Sequence, residues 1–266
     1  MSEPLLDAPA GPADGLRVTL DGEIATVTLC RPERRNAQTP ALWRALAAVG
    51  RELPGTVRVV VLRADGPSFS AGLDRAAFSP EGIPGERSFT DLARADDAVA
   101  DAVLVEYQEA FTWWRRPDVL TVAAVQGHAV GAGFQLALAC DLRVCAEDAR
   151  FAMRETSLGI VPDLGGTKPL TELVGPARAL EICVTGRWVF AEEAARIGLA
   201  NLVVPEEQLR GAAADLAAAL AAAPRSAAIE TKALLQGAPR RSYEEQCAAE
   251  RAAQLRRVRD LAGFGD

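Results

Sequence analysis

Apolar and polar positions alternate from Leu16 to Leu29, LRVTLDGEIATVTL, with β-branched residues on both sides of Asp21-Gly22. A period of two interrupted by Asp-Gly predicts a β-hairpin with a tight turn. After the polar loop RPERRNAQ the pattern changes, and Pro40–Glu52 reads as a helix with Thr39 as N-cap and proline at its first position. Val57–Arg63 (VRVVVLR), Leu120–Gln126 (LTVAAVQ) and Leu142–Cys145 are short apolar runs that read as strands, and Ala76–Arg116 between the first two reads as loop and then helix. Strand, excursion and strand in succession predict an α/β architecture around a buried sheet. Beyond about residue 190 strands become rare and alanine dominates, so that 191–200 (AEEAARIGLA), Glu206–Ala223, Ser226–Gln236 and Ser242–Leu261 all read as helices. Residues 1–15, rich in Pro, Ala and Gly, read as a poorly ordered tail. The expected division is therefore a tail (1–15), an α/β part (16–190) and a helical part (191–266).

Composition narrows the classes. With 266 residues, 49% of them apolar and 24% charged, the chain is long enough to bury a sizeable core. A net charge of −7, from 29 basic and 36 acidic residues, leaves no electrostatic footprint for general nucleic-acid or anionic-membrane binding. Only two of the basic residues are lysines, Lys168 and Lys232. Five cysteines without a CxxC and a single histidine fit neither a disulfide framework nor a zinc site, so no metal is expected. The start lacks the basic-then-apolar pattern of a secretory signal, and apolar runs fall short of the roughly 18 residues of a membrane span, which makes a soluble, cytoplasmic protein the expectation.

Candidate chemistry concentrates at Gly127–Cys140, GHAVGAGFQLALAC, between two strand-like runs. Glycines at 131 and 133 allow close backbone approach, and a short helix over Phe134–Cys140 has first-turn N–H groups without internal partners. Such a turn can donate to an oxygen that becomes anionic during reaction. A second glycine turn, Phe69-Ser-Ala-Gly-Leu-Asp74, follows the strand Val57–Arg63 and supplies a second set of backbone donors. GHAVGAG also invites comparison with the nucleotide turn of short-chain dehydrogenases. That reading fails because the turn lies in mid-chain before a helix of only about seven residues, and neither tyrosine stands four before a lysine: Phe111 follows Tyr107 and Cys247 follows Tyr243.

Taken in order, FSAGLD, GHAVGAG, FAMRETSLGIVPDLGGTKPL and LVGPARALEICVTGRWVFAEEAARIGLANLVV resemble the crotonase superfamily of enoyl-CoA hydratases and isomerases, from about Leu16 to about Val204. The resemblance implies a spiral of β-β-α turns followed by a helical C-terminal region that contributes to trimers or pairs of trimers. It implies stabilisation of a thioester enolate of an acyl-CoA, with no cofactor beyond the coenzyme A carried by the substrate. Position by position, the oxyanion donors would be the amides of Leu73 and Ala132. Of the two glutamates of hydratases, the second matches Glu155 and the first is replaced by Gln135, which cannot act as acid or base near neutral pH. Asp163 stands where dienoyl-CoA isomerases carry a carboxylate, so a double-bond shift is the favoured reaction. Hydration despite Gln135 and a non-catalytic acyl-CoA-binding subunit are the alternatives. Arg31, Arg34, Arg35 and Ala37, with Ala71 and Asp74 at the second glycine turn, fall where the family meets CoA. His128 reads as a packing residue more than a base, and Cys140 and Cys145 as small core residues. The chain ends AGFGD, without the acidic, phenylalanine-containing and basic tail motif of many family members.

Overall fold

The computed structural model describes residues 15–79 and 81–264; the expected tail, Gly15 apart, lies outside them. Strands β1 (Leu16–Asp21) and β2 (Ile24–Leu29) form the predicted hairpin, with Gly22 at φ +56° in the turn. Helix α1 (Pro40–Glu52) begins at Thr39, whose side chain accepts from the Leu42 amide. Strand β3 (Val59–Ala64) starts two residues later than the pattern predicted, because Val57 is taken into a turn on Pro54 and pairing begins opposite Ile24.

The excursion is largely helical, with α2 (Phe89–Arg94) and α3 (Asp97–Thr112) returning to β4 (Leu120–Val125). Then come β5 (His128–Val130), α4 (Ala132–Ala139), β6 (Leu142–Ala146) and β7 (Arg150–Ala152), followed by α5 (Thr167–Val174), α6 (Pro176–Thr185), β8 (Val189–Phe190), α7 (Ala191–Arg196) and β9 (Leu202–Val204). Helices α8 (Leu209–Ala222), α9 (Arg225–Gly237) and α10 (Tyr243–Leu261) complete the chain. The main sheet has the order β1-β2-β3-β4-β6-β9, parallel except for the β1-β2 hairpin, and β5-β7-β8 form a second, small sheet.

The central strands β3, β4 and β6 are buried on both faces, as parallel sheets require, whereas the edge strands β1 and β9 are only partly covered. Val60, Leu62, Ala123, Val125 and Cys145 point into the principal core with α1 and α4. Their neighbours Val59, Val61, Val122, Ala124 and Val144 face the opposite side, where Leu209, Ala213 and Ala217 of α8 form a four-residue-spaced stripe against them. Alanine on that stripe brings the helix close to the sheet, so the alanine richness of α8 serves packing within the chain. Beyond residue 190 strands are rare, as expected, the one among the described residues being β9, three residues that extend the sheet beside β6. Three residues are too few for period-two alternation to register in sequence. Among the described residues no helix is long and apolar enough to cross a membrane.

Candidate active site

Two backbone segments meet at the end of the second glycine turn. The Gln38 amide donates to Gly72 O (2.7 Å) and the Asp74 amide donates to Gln38 O (2.8 Å). Neighbouring peptide groups of an extended segment face opposite sides. With both bonds on the Gln38 side, the Leu73 N–H is turned away from it. Gly72, at φ +86°, passes so close to the segment Val130–Ala132 that a Cβ would stand 2.5 Å from Val130 O and 3.6 Å from the Ala132 nitrogen.

Helix α4 begins at Ala132, two residues earlier than Phe134, because Gly131 at φ +52° supplies the break in helical geometry immediately before it. Its first-turn amides therefore include Ala132 itself. Gly133 packs on Ser70, where a Cβ would meet the carbonyl oxygen at 2.6 Å. Neither the Leu73 nor the Ala132 amide has an acceptor among the described residues. The two donors picked out by the sequence are thus brought together and left open.

Glu155 lies beside this turn, its carboxyl group against Gly131. Its side chain is buried, 7% exposed, at the start of the short 3-10 turn Thr156–Leu158. Oε1 accepts from Gln135 Nε2 at 2.7 Å, and Oε2 has no hydrogen-bond partner. Burial raises the pKa of Glu155, the Gln135 hydrogen bond draws it back, and the negative charge of Asp163 raises it further. Asp163, half-buried, is itself raised by burial. The Asp163 charge thus bears on Glu155, whereas the shift of Asp163 itself comes from burial.

Gln135 is more than a substitute for glutamate. It is 1% exposed on α4, and its Oε1 accepts from the amides of Leu164 (3.0 Å) and Gly166 (3.2 Å). Two backbone donors on the oxygen fix the amide orientation, so its NH₂ must face Glu155. Of the remaining sequence-derived residues, Arg34 and Arg35 are exposed on the loop before α1 and Ala71 is exposed on the second glycine turn, the two joined by the Ala71 amide donating to Arg35 O. Arg31 reaches Ala37 O and lies 3.8 Å from Asp74.

His128 packs edge-on against Trp188 and approaches Ser68 Oγ through Nδ1 at 3.2 Å, while burial and the charges of Arg150 and Arg35 lower its pKa. Cys140 and Cys145 are buried, with thiol pKa values raised by burial, that of Cys145 to about 12, which fits core residues and not nucleophiles. Sequence reasoning missed Gln108, whose Nε2 donates to Asp163 O at 2.6 Å, and the buried Gln38 and Trp43. A polar residue that reaches its partner across 55 positions leaves no local signal.

The site is thus an α/β fold's pair of glycine turns, with two backbone amides that have no acceptor among the described residues beside a buried carboxyl. The chain matches the enoyl-CoA hydratase/isomerase family model over residues 19–259 and belongs to that family, with the crotonase fold. It is 47% identical, at a TM-score of 0.90, to a provisionally assigned enoyl-CoA hydratase from Thermobifida fusca YX in complex with CoA, with 95% of this chain and 96% of that one covered. The same comparison with the acetoacetyl-CoA complex of a provisionally assigned hydratase from that organism gives 48% identity, a TM-score of 0.90 and coverage of 94% and 96%. The carnitinyl-CoA dehydratase of Salmonella enteritidis PT4 is 36% identical over 212 residues, 77% of this chain and 74% of the relative.

Proposed function

We propose that the protein binds an unsaturated acyl-CoA, stabilises its thioester enolate with the Leu73 and Ala132 amides, and moves a double bond by proton transfer through Glu155. The observation that carries this reading is the Glu155 carboxyl: one oxygen held by Gln135, the other buried and unpartnered. For a 3-enoyl-CoA, Glu155 Oε2 takes a proton from C2 and the electron pair moves onto the thioester oxygen between the two amides. Return of the proton to C4 gives the conjugated 2-enoyl-CoA. Nothing is oxidised or reduced, so the chemistry needs no group beyond the CoA that the substrate carries. For a 3,5-dienoyl-CoA, proton transfer at C2 and C6 would engage Asp163 as a second handler. Arg34 and Arg35, exposed beside Ala37, Ala71 and Asp74, suit the phosphates of CoA through their planar forks.

Addition or removal of water is the second reading, favoured by the dehydratase and hydratase relatives. It asks for two proton-handling groups flanking a water, and Gln135 cannot be one of them. Incubation with crotonyl-CoA, a 3-enoyl-CoA and a 3,5-dienoyl-CoA, followed by mass spectrometry and ultraviolet absorption, separates the two. Wild-type turnover of crotonyl-CoA at about 10 per second or more, typical of enzymes, would establish hydration. No turnover of any of the three, with binding retained, would favour an accessory acyl-CoA-binding role.

Gln135→Glu is expected to raise crotonyl-CoA hydration. The new carboxylate would keep the Leu164 and Gly166 amides on one oxygen and set its other oxygen against Glu155. Two carboxylates at that range share a proton, and loss of that shared proton is pushed to higher pH, so hydration by the variant, which needs one group protonated and one ionised, should fall as pH rises through that raised pKa. An unchanged hydration rate would show that the water site itself is missing.

A homotrimer or homohexamer accompanies the proposal. Leu235 on α9 and Leu255, Val258 and Leu261 on α10 are exposed, as are Leu180 and Val184 on α6. Single apolar residues on a surface are ordinary, whereas several along the same elements suit burial by a second copy. Light scattering at micromolar concentration should return three or six times the chain mass, and a clean monomer would refute the assembly.

A further inference from the structure

We propose that Gln38 is a positioning residue for the Leu73 amide, and that a buried hydrogen-bonded chain from Trp43 through Gln38 to Ser70 sets how tightly the enolate oxygen is held. The proposal rests on the reading of Leu73 as an oxyanion donor and names the device that aims it.

Gln38 is 0% exposed and bridges the two sides of the site. Its backbone grips the peptide groups on both sides of Leu73 through the bonds to Gly72 O and from the Asp74 amide. Its side chain is held in turn, with Oε1 accepting from Trp43 Nε1 at 2.7 Å and Nε2 donating to Ser70 Oγ at 3.2 Å. Ser70 Oγ donates to Asn36 O (2.7 Å) and accepts from the Gly72 amide (3.2 Å), so the residue immediately before Leu73 is fastened by the same hydroxyl. Ser70 also abuts Gly133 in the first turn of α4, the helix whose amide at Ala132 is the other donor. One small network thus touches both halves of the oxyanion pair.

Every member of this chain is uncharged, and each hydrogen bond is made in the dry interior, where an unmade bond is costly. A glutamine is not needed there for packing alone, since a methionine would fill the same volume without polar atoms to satisfy. Trp43 extends the network outward: its ring lies 4.9 Å from Tyr107 and 5.9 Å from Phe111 on α3, the helix whose Gln108 holds Asp163 O. The position of α3 is therefore mechanically linked to the amide that receives the enolate oxygen.

The test compares the wild type with Gln38→Met, Ser70→Ala and Trp43→Phe, using acetoacetyl-CoA as an enolisable probe and free CoA as its control. Wild type should shift bound acetoacetyl-CoA toward the enolate, seen as its ultraviolet band. Gln38→Met should lose most of that band and about tenfold to a hundredfold in kcat, below the cost of deleting an oxyanion donor outright. Its affinity for free CoA and its KM should change far less than kcat, because the Arg34 and Arg35 side chains and the backbone bonds of residue 38 to Gly72 and Asp74 are kept. Ser70→Ala and Trp43→Phe, smaller changes that serve if Gln38→Met does not fold, should move in the same direction. The effect should be equal across pH, since no titrating group is altered. Variants that melt earlier but keep the band and kcat would overturn the proposal and leave Gln38 a packing residue. A wild type that binds CoA but never enolises the probe would overturn the oxyanion reading itself, before any substitution is considered.

Discussion

Glu155→Gln is expected to lower turnover on every unsaturated thioester the wild type processes by about 10²–10⁴, the usual range for loss of a general acid or base. The replacement keeps the shape and keeps an oxygen for Gln135 Nε2 to donate to, while an NH₂ group takes the place of the unpartnered Oε2. Affinity for an unreactive thioester analogue should barely change, which separates chemistry from binding. In the wild type, burial raises the pKa of Glu155 above the ordinary carboxylate value, so kcat/KM should climb as pH rises through that raised pKa and the base form appears. The same shift carries a stability consequence of known sign. A carboxyl group whose folded pKa lies above its unfolded one favours the fold at low pH and loses that contribution as pH rises through the folded pKa. Glu155→Gln removes this loss, and the variant should melt above the wild type near neutral pH. Full turnover by the variant, checked by steady-state kinetics, would refute Glu155 as the proton carrier.

Lys232→Met should destabilise the protein by about 3–5 kcal/mol, the cost of breaking a buried ion pair from one side. Lys232 is one of only two lysines in the chain and is 6% exposed on α9. Its Nζ donates to Asp141 Oδ2 at 2.7 Å and to Val119 O at 2.7 Å. The same Oδ2 accepts from the amide and hydroxyl of Thr121 at the start of β4. Burial pulls the lysine pKa down, with Asp141 drawing it back up. Without the ammonium, the Asp141 carboxylate loses the only cation paired with it among the described residues. Adding Asp141→Asn to Lys232→Met should recover a large part of the loss, since the Thr121 donors need only an oxygen. Urea unfolding of the single and double variants measures both. A loss under about 1 kcal/mol, the level of an exposed pair, would show that α9 is held by its other contacts.

Much of the fold was legible because its signals are local. The hairpin, the α1 cap, three strands of the main sheet and the C-terminal helices each repeat a short period or carry a turn or capping residue that acts within a few positions. Ser242, for instance, caps α10 through a reciprocal exchange with Glu245. Sheet β5-β7-β8 and strand β9 were not legible, because strands of two or three residues have no period to detect.

The sequence also determined which residue types stand at the candidate site: two glycine turns, one glutamate, one aspartate and a glutamine in place of a second glutamate. Only the tertiary structure decided what the glutamine does. Which end of its amide faces Glu155 depends on two backbone donors 29 and 31 residues away. The same holds for Gln38, whose partners lie on a helix and on a neighbouring strand-like segment. Composition and spacing report forces that act along the chain, whereas the direction of a buried polar group is set by whichever donors the folded core brings to it.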